Sequence, residues 1–300
     1  MEKGLTIVEF RKRFQTEADC LNYLIELKWG NGFTCVKCQC NEFHKGRKWY
    51  YRRCKSCGYD ESATANTLFH KCKLGLLVAF EIAFRLSVKK KGMSTMELSR
   101  EFGCQQKSAW LMKAKFQHAM KSSGKHPLKG DVEVDEFLVG GFDENEPGRS
   151  LESKQLVVLG VEKITNKKGK ITIGRAYAKV VDDASEKQLR PFFEQRIDKE
   201  SKVKTDGWRS YLPLKKNWQI EQVLSDKGEG FPELHIHIMN IKNWIRGTHH
   251  KFKGPKLQQY LDEYHFRFNR RAFLDTILDK LLERAVKIKP LPYGNKLLAN

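Results

Sequence analysis

"DVEVDEFLVGG", residues 131–141, packs four acids into its first six positions. Asp131, Glu133 and Asp135 alternate with Val132 and Val134, the period of a β-strand, so all three acids project from one strand face. The surrounding chain carries 56 Lys+Arg against 36 Asp+Glu, a formal net charge of +20. A basic chain that gathers negative charge on one strand has a use for it, and the flanking sequence indicates which.

Downstream the β-period continues through "KQLVVLGVEKI" (154–164) and "KITIGRAYAKVV" (170–181), with "TNKKGK" (165–170) as the hairpin turn between them. "SEKQLRPFFEQRI" (185–197) reads as an amphipathic helix with Leu189, Phe192, Phe193 and Ile197 on one face. "SKVKTDGWRSY" (201–211) gives a short strand ending at Asp206, "WQIEQVL" (218–224) a fifth strand, and "ELHIHIMNIKNWIRG" (233–247) a further helix. Three antiparallel strands, helix, strand, helical turn, strand, helix is the order of an α/β ribonuclease H-like core. In that fold the first and fourth strands are neighbours, which brings Asp135 and Asp206 to one edge of the core. Two such carboxylates repel unless a divalent cation lies between them, so the pair predicts Mg²⁺ or Mn²⁺. Divalent cations so held activate a water or a 3′-hydroxyl for phosphodiester chemistry. The small "VGG" after Asp135 lets a substrate backbone approach, whereas Asp131 and Glu133 are expected to be the solvated face of an edge strand.

Upstream, "KSSGKHPLKG" (121–130) is a linker by composition. Before it, "GLLVAFEIAFRLSV" (75–88) is an apolar helix, broken at "KKKG". "STMELSREFGCQQKSAWLMKAKFQHAM" (94–120) opens on a Ser94/Glu97 capping box, turns at Gly103 and continues as a second helix. Met96, Leu98 and Phe102 are expected to face inward, and Gln105, Gln106 and Lys107 begin the would-be recognition helix of a helix-turn-helix. A plain helical bundle is the alternative. Cys35, Cys38, Cys54 and Cys57 form C-x2-C-x15-C-x2-C, the spacing of a closed structural Zn²⁺ site. "EFHKGRKWYYRRC" (42–54) interleaves bases with aromatics, so Arg52 and Arg53 are expected to meet phosphate. Cys20, Cys72 and Cys104 are isolated and read as small buried apolar residues, and Cys40 as a spectator.

The expected organisation is multidomain: a zinc ribbon over 1–72, a helix-turn-helix over 73–121, a linker over 122–130 and the ribonuclease H-like core over 131–285. No apolar run approaches the roughly 20 residues of a membrane span, and no signal peptide opens the chain. A cytoplasmic location with reduced cysteines, no membrane partner and a polyanionic partner follow as expectations, DNA being the simplest.

Taken together, the zinc ribbon, the helix-turn-helix, "VEVDEFLVGG", "TDGWRSY" (205–211), "KNWIRGTHH" (242–250) and "YLDEYHFRFNRR" (260–271) resemble the bacterial insertion-sequence transposases of the zinc-ribbon, DDE-type class. The resemblance runs from about Phe14 to Arg271. It implies an enzyme that works as a homo-oligomer on DNA, cutting element ends and joining them to a target. It carries Asp135 and Asp206 onto the first two catalytic carboxylates. The family's third position, a Glu seven residues before a Lys, is not matched here. Aligning "WIRGTHH" makes Lys242 that Lys, and His235 stands seven residues before it. A neutral imidazole can replace a carboxylate on Mg²⁺ or Mn²⁺. Asn240, whose carbonyl oxygen is a hard ligand, is the alternative; Glu233 or no third ligand is another. Lys242, Arg246, His249 and His250 are expected to grip phosphate through the helix end and the cationic loop "GTHHKFKGPK" (247–256). The competing function is a DNA-binding regulator with an inactive core, which intact Asp135 and Asp206 argue against.

Overall fold

A computed structural model describes residues 4–140, 154–166, 168–223, 230–249 and 254–291. It divides into two compact units, residues 1–120 with 272–300, and residues 121–271. In the first unit α1 (Ile7–Arg13) and α2 (Glu17–Trp29) each begin with a reciprocal capping box, Thr6 with Glu9 and Thr16 with Asp19. Then come β1 (Phe43–Lys45), β2 (Tyr51–Cys54) and β3 (Asp60–Ser62), an antiparallel sheet in that order, and the helices α3 (Leu76–Val88), α4 (Thr95–Glu101) and α5 (Gln106–Met120).

Helix α3 starts at Gly75 with no cap of its own, and the Glu17 carboxylate accepts the Leu76 and Leu77 N–H groups instead, at 2.9 and 3.1 Å. Its apolar face packs through rings: Phe80 meets Phe14 edge-on and Phe84 stacks on Phe10. Ser94 caps α4 by accepting the Glu97 N–H at 3.1 Å, but the Glu97 carboxylate pairs with Lys89 rather than closing the box. Gly103 makes the turn into α5 at φ +57°, a left-handed value that favours glycine. Leu98 is fully buried and Phe102 half-buried, whereas Met96, expected inside, is 44% exposed.

The second unit is built on a five-stranded sheet: β4 (Asp131–Gly140), β5 (Lys154–Thr165), β6 (Ile171–Val181), β7 (Lys202–Thr205) and β8 (Gln219–Gln222), ordered β6-β5-β4-β7-β8. The first three strands are antiparallel neighbours, and β4, β7 and β8 run parallel. Helix α6 (Glu186–Arg196) covers one face, with Leu189, Phe192 and Phe193 packed on Val132, Val134, Val158 and Val203. Gly160 lets this helix come close, since a Cβ there would stand 2.9 Å from Leu128 and 3.2 Å from Phe192. On the other face, α7 (Pro232–Thr248) and α8 (Gly254–Phe268) seat Leu234, Ile238, Ile241, Ile245, Leu257 and Leu261 against Phe137, Val139 and Leu159. The α7 stripe predicted from its spacing is the stripe that is buried.

The structure differs from the sequence expectation in three further places. Leu128 of the supposed linker is fully buried in this core and bridges to Ile197. β4 is central rather than an edge, so although Asp131 is exposed, Glu133 is buried and its carboxylate meets Lys163 Nζ at 2.6 Å. Finally α9 (Ile277–Lys287), placed by the 131–285 boundary in the core, belongs to the first unit: Leu278, Leu281 and Leu282 are fully buried there, and the Ala285 carbonyl accepts the Leu68 N–H at 3.0 Å. Its apolar stripe needs a partner, and α2, α3 and α5 provide one.

Candidate catalytic centre and metal site

The four ribbon thiols come from two matching turns. Cys35 accepts the Gln39 N–H on its carbonyl, and Cys54 accepts that of Gly58, at 3.0 and 3.1 Å. Gln39 and Gly58 both take positive φ, +62° and +69°, which folds each Cys-x-x-Cys back on itself. The four sulfur atoms then lie within 4.8 Å of one another, with Cys35–Cys57 at 3.6 Å and Cys38–Cys54 at 3.5 Å. Sulfurs around a tetrahedral Zn²⁺ with bonds of about 2.3 Å stand about 3.8 Å apart, so the set fits that ion. The Cys57 N–H bonds to the Cys54 sulfur and holds that thiol below its ordinary pKa, favouring the thiolate a metal needs. Phe33 and Trp29 pack behind Cys35 and Cys54.

In the second unit Asp135 sits in mid-β4, and Asp206 follows the last residue of β7, the strand hydrogen-bonded beside it. Glu136, the next residue of β4, joins them: one carboxylate oxygen from each of Asp135, Glu136 and Asp206 lies within 4.8 Å of the others. Consecutive strand residues face opposite ways, so Asp135 points to the α7 side and Glu136 to the α6 side. The side chains meet past the end of β7, where no strand continues between them. The Asp135 carboxylate accepts the Glu136 N–H at 2.8 Å, and Asp206 accepts the Trp208 N–H at 3.1 Å. Glu136 accepts a hydrogen bond from the fully buried Tyr211 hydroxyl.

Burial pushes the Glu136 carboxyl up to about 7, and the charges of Asp135 and Asp206 add to the shift. Like charges about 4 Å apart cost on the order of 4 kcal/mol at an effective dielectric near 20. A divalent cation removes that cost, and oxygens sharing one Mg²⁺ stand roughly 3–4 Å apart. The donor set is therefore one that a hard cation fits.

His235, in the first turn of α7, brings Nε2 to 3.5 Å from Asp135 Oδ2. That nitrogen is shielded from solvent and makes no hydrogen bond among the described residues. Asn240 is exposed and, five residues on, is turned about 140° around the helix from His235. Glu233 is half-buried and, like His235, stands outside the group of three carboxylates. Lys242 is half-buried with its ammonium 5.7 Å from the centre of the Phe137 ring, two residues along β4 from Asp135. Burial lowers its pKa, and Arg246 one turn on lowers it further.

Among residues expected to touch DNA, Arg53, Gln105, Gln106, Lys107 and Arg246 are exposed. Arg52 is half-buried, its guanidinium held over the Phe43 and Trp29 rings. His249 is not a surface group: it is 8% exposed and stacks on Tyr260 with ring centroids 3.5 Å apart. His250 lies outside the described residues, as does Gly141. Glu136 and Tyr211 were missed as site residues. The signal for Glu136 was its position on the Val132–Val134 face, where a lone acid interrupts an apolar row.

Residues 127–269 match the family model for an ISXO2-like transposase domain, and residues 15–60 match that for a transposase zinc-ribbon domain. The two matches together take in more than half of the chain, which belongs to the insertion-sequence transposases pairing a zinc ribbon with a DDE-type domain. The chain is also similar to the uncharacterized protein in transposable element ISH50 of Halobacterium salinarum, 24% identical over 294 residues, covering 90% of this chain and 99% of that protein. A transposase domain implies a DNA partner, and among the described residues no helix is long and apolar enough to cross a membrane.

Proposed function

We propose that this transposase binds the ends of its insertion sequence and carries out metal-dependent strand cleavage and strand transfer at Asp135, Asp206, Glu136 and His235. The observation that carries the reading is the convergence of two sheet-borne aspartates from neighbouring parallel strands, joined by Glu136 and faced by His235. The strand order 3-2-1-4-5 of the sheet supports an RNase H-like core, and the α4–Gly103–α5 turn supports a helix-turn-helix. Mg²⁺ or Mn²⁺ held by these residues would lower the pKa of a water or 3′-hydroxyl and stabilise the leaving oxygen.

The chain's own groups do the rest. Tyr211 and the backbone N–H groups of Glu136 and Trp208 fix the carboxylates before any substrate arrives. Lys242 and Arg246, on the same helix flank as His235, supply positive charge to a phosphate backbone lying along α7. Zn²⁺ on the four cysteines makes the ribbon rigid, and its exposed bases, with those at the start of α5, contribute to end binding as the protein assembles as a homo-oligomer on DNA.

The test is end cleavage and strand transfer on DNA carrying the element's terminal sequences. Asp135→Ala and Asp206→Ala should each lower both reactions by several orders of magnitude while DNA binding is kept or tightened, because an acidic wall facing phosphate is removed. Activity persisting in either variant would remove that aspartate from the chemistry, and wild-type protein that binds end DNA without cutting it would leave the inactive regulator as the better reading.

A further inference from the structure

Two residues beyond Asp206 stands Trp208, with 47% of its surface open. A tryptophan of this unit that serves the core looks different: Trp218 is 4% exposed and meets Phe193 edge-on. Exposure of a large ring is ordinary when the side chain is loose, but Trp208 is fixed along its length. Its backbone N–H donates to Asp206 Oδ1 at 3.1 Å and its indole N–H to the Ala184 carbonyl at 3.2 Å. The Gln222 amide holds its carbonyl at 3.0 Å. The segment between Asp206 and the buried Tyr211 is therefore pinned at both ends, and its largest apolar surface is turned outward.

We propose that Trp208 is a stacking platform for an unpaired DNA base beside the scissile phosphate. The inference rests on the strand-cleavage reading above, because it takes the carboxylates as the place where the phosphate sits. Asp135 is only 15% exposed at its side chain, so a phosphodiester reaches it only if the strand there leaves regular duplex geometry. A nucleotide drawn out of the helix loses its stacking partners, and an aromatic face restores the interaction for any base. The exposed cations Lys187, three residues after Ala184, and Arg209, next to Trp208, suit the phosphates flanking such a base. The proposed occupant explains what a surface for a protein partner would not: the ring is locked within two residues of a catalytic carboxylate.

The experiment uses the full chain and duplexes of the element's end with 5-iododeoxyuridine placed in turn at positions flanking the cut, irradiated in complex with the Asp135→Ala protein. A photocrosslink mapped to Trp208 at one of these positions is expected. In otherwise wild-type protein, Trp208→Ala should slow end cutting by about tenfold to a hundredfold, the worth of one base stack, with Trp208→Phe recovering most of it. An abasic site at the crosslinking position should relieve the alanine defect, since no base then needs a platform; loss of fold would not be relieved in this way. No crosslink to Trp208, or equal cutting by Trp208→Ala, overturns the proposal, as does an alanine variant whose only change is in self-association. If wild-type protein cuts no end DNA, the cleavage reading fails separately, and the crosslink still decides whether a base rests on Trp208.

Discussion

His235 Nε2 lies 3.5 Å from Asp135 Oδ2, joining the first turn of α7 to the middle of β4 across a hundred residues of chain. The same helix turns Asn240 about 140° away. If His235 is the third metal-binding group, His235→Ala should lose about a hundredfold or more in end cleavage, His235→Glu should keep activity with Mg²⁺, and Asn240→Ala should stay near wild type. The reverse order of the two alanine variants would hand the role to Asn240.

Glu136 gives a second prediction, readable without turnover. Glu136→Gln should weaken Mn²⁺ binding, followed by calorimetry or electron paramagnetic resonance, by about tenfold while the unfolding midpoint moves little. Tyr211→Phe should act in the same direction more weakly, because it removes only the hydroxyl that aims the carboxylate. Unchanged Mn²⁺ affinity in both variants would remove Glu136 from the site.

Much of this unit can be read from sequence alone, and the parts that cannot share a cause. Period-two and helical spacing locate β4 to β8, α6 and the α7 stripe, because each element announces its own buried face. Asp135 and Asp206 follow from strand order. Glu136 does not, since strand alternation assigns it to the face opposite Asp135, and only the end of β7 and a tyrosine 75 residues away bring it back. His249 misleads for a related reason: its basic surroundings suggest phosphate, whereas Tyr260 of the next helix stacks on its ring and Trp244 meets it edge-on.

Zinc can be tested independently. Purified protein should contain about one Zn²⁺ per chain, and Cys54→Ser should release it and weaken end binding while the transposase domain keeps its unfolding transition. Metal analysis well below one equivalent in wild-type protein would contradict the site.

The buried pair His237 and His265 makes stability depend on acid. His265 donates from Nδ1 to the Leu261 carbonyl at 2.8 Å, so its Nε2 accepts from His237 Nε2 at 3.3 Å and both rings are neutral. Burial lowers His265 to about 4 and His237 to about 2, against about 6.5 when unfolded. The unfolded chain therefore binds more protons below pH 6.5. Stability from this pair is fully present above that value and falls as pH drops through 6.5 toward 4, by at most about 1.4 kcal/mol per pH unit for each ring. Denaturant midpoints measured from pH 7.5 to 4.5 should show the decline, and His237→Phe should flatten it.

The placement of α9 bears on how the protein is made. Residues 121–271 leave the ribosome before Ile277–Lys287, yet α2, α3 and α5 need that helix to cover their apolar sides. The transposase domain is contiguous in sequence, while the zinc-ribbon unit waits for α9 to return to partners translated long before it. A fragment of residues 1–125 would keep the four thiols and lose this closing helix, exposing the apolar sides of α2, α3 and α5. The order of translation makes the zinc-ribbon unit the last to mature.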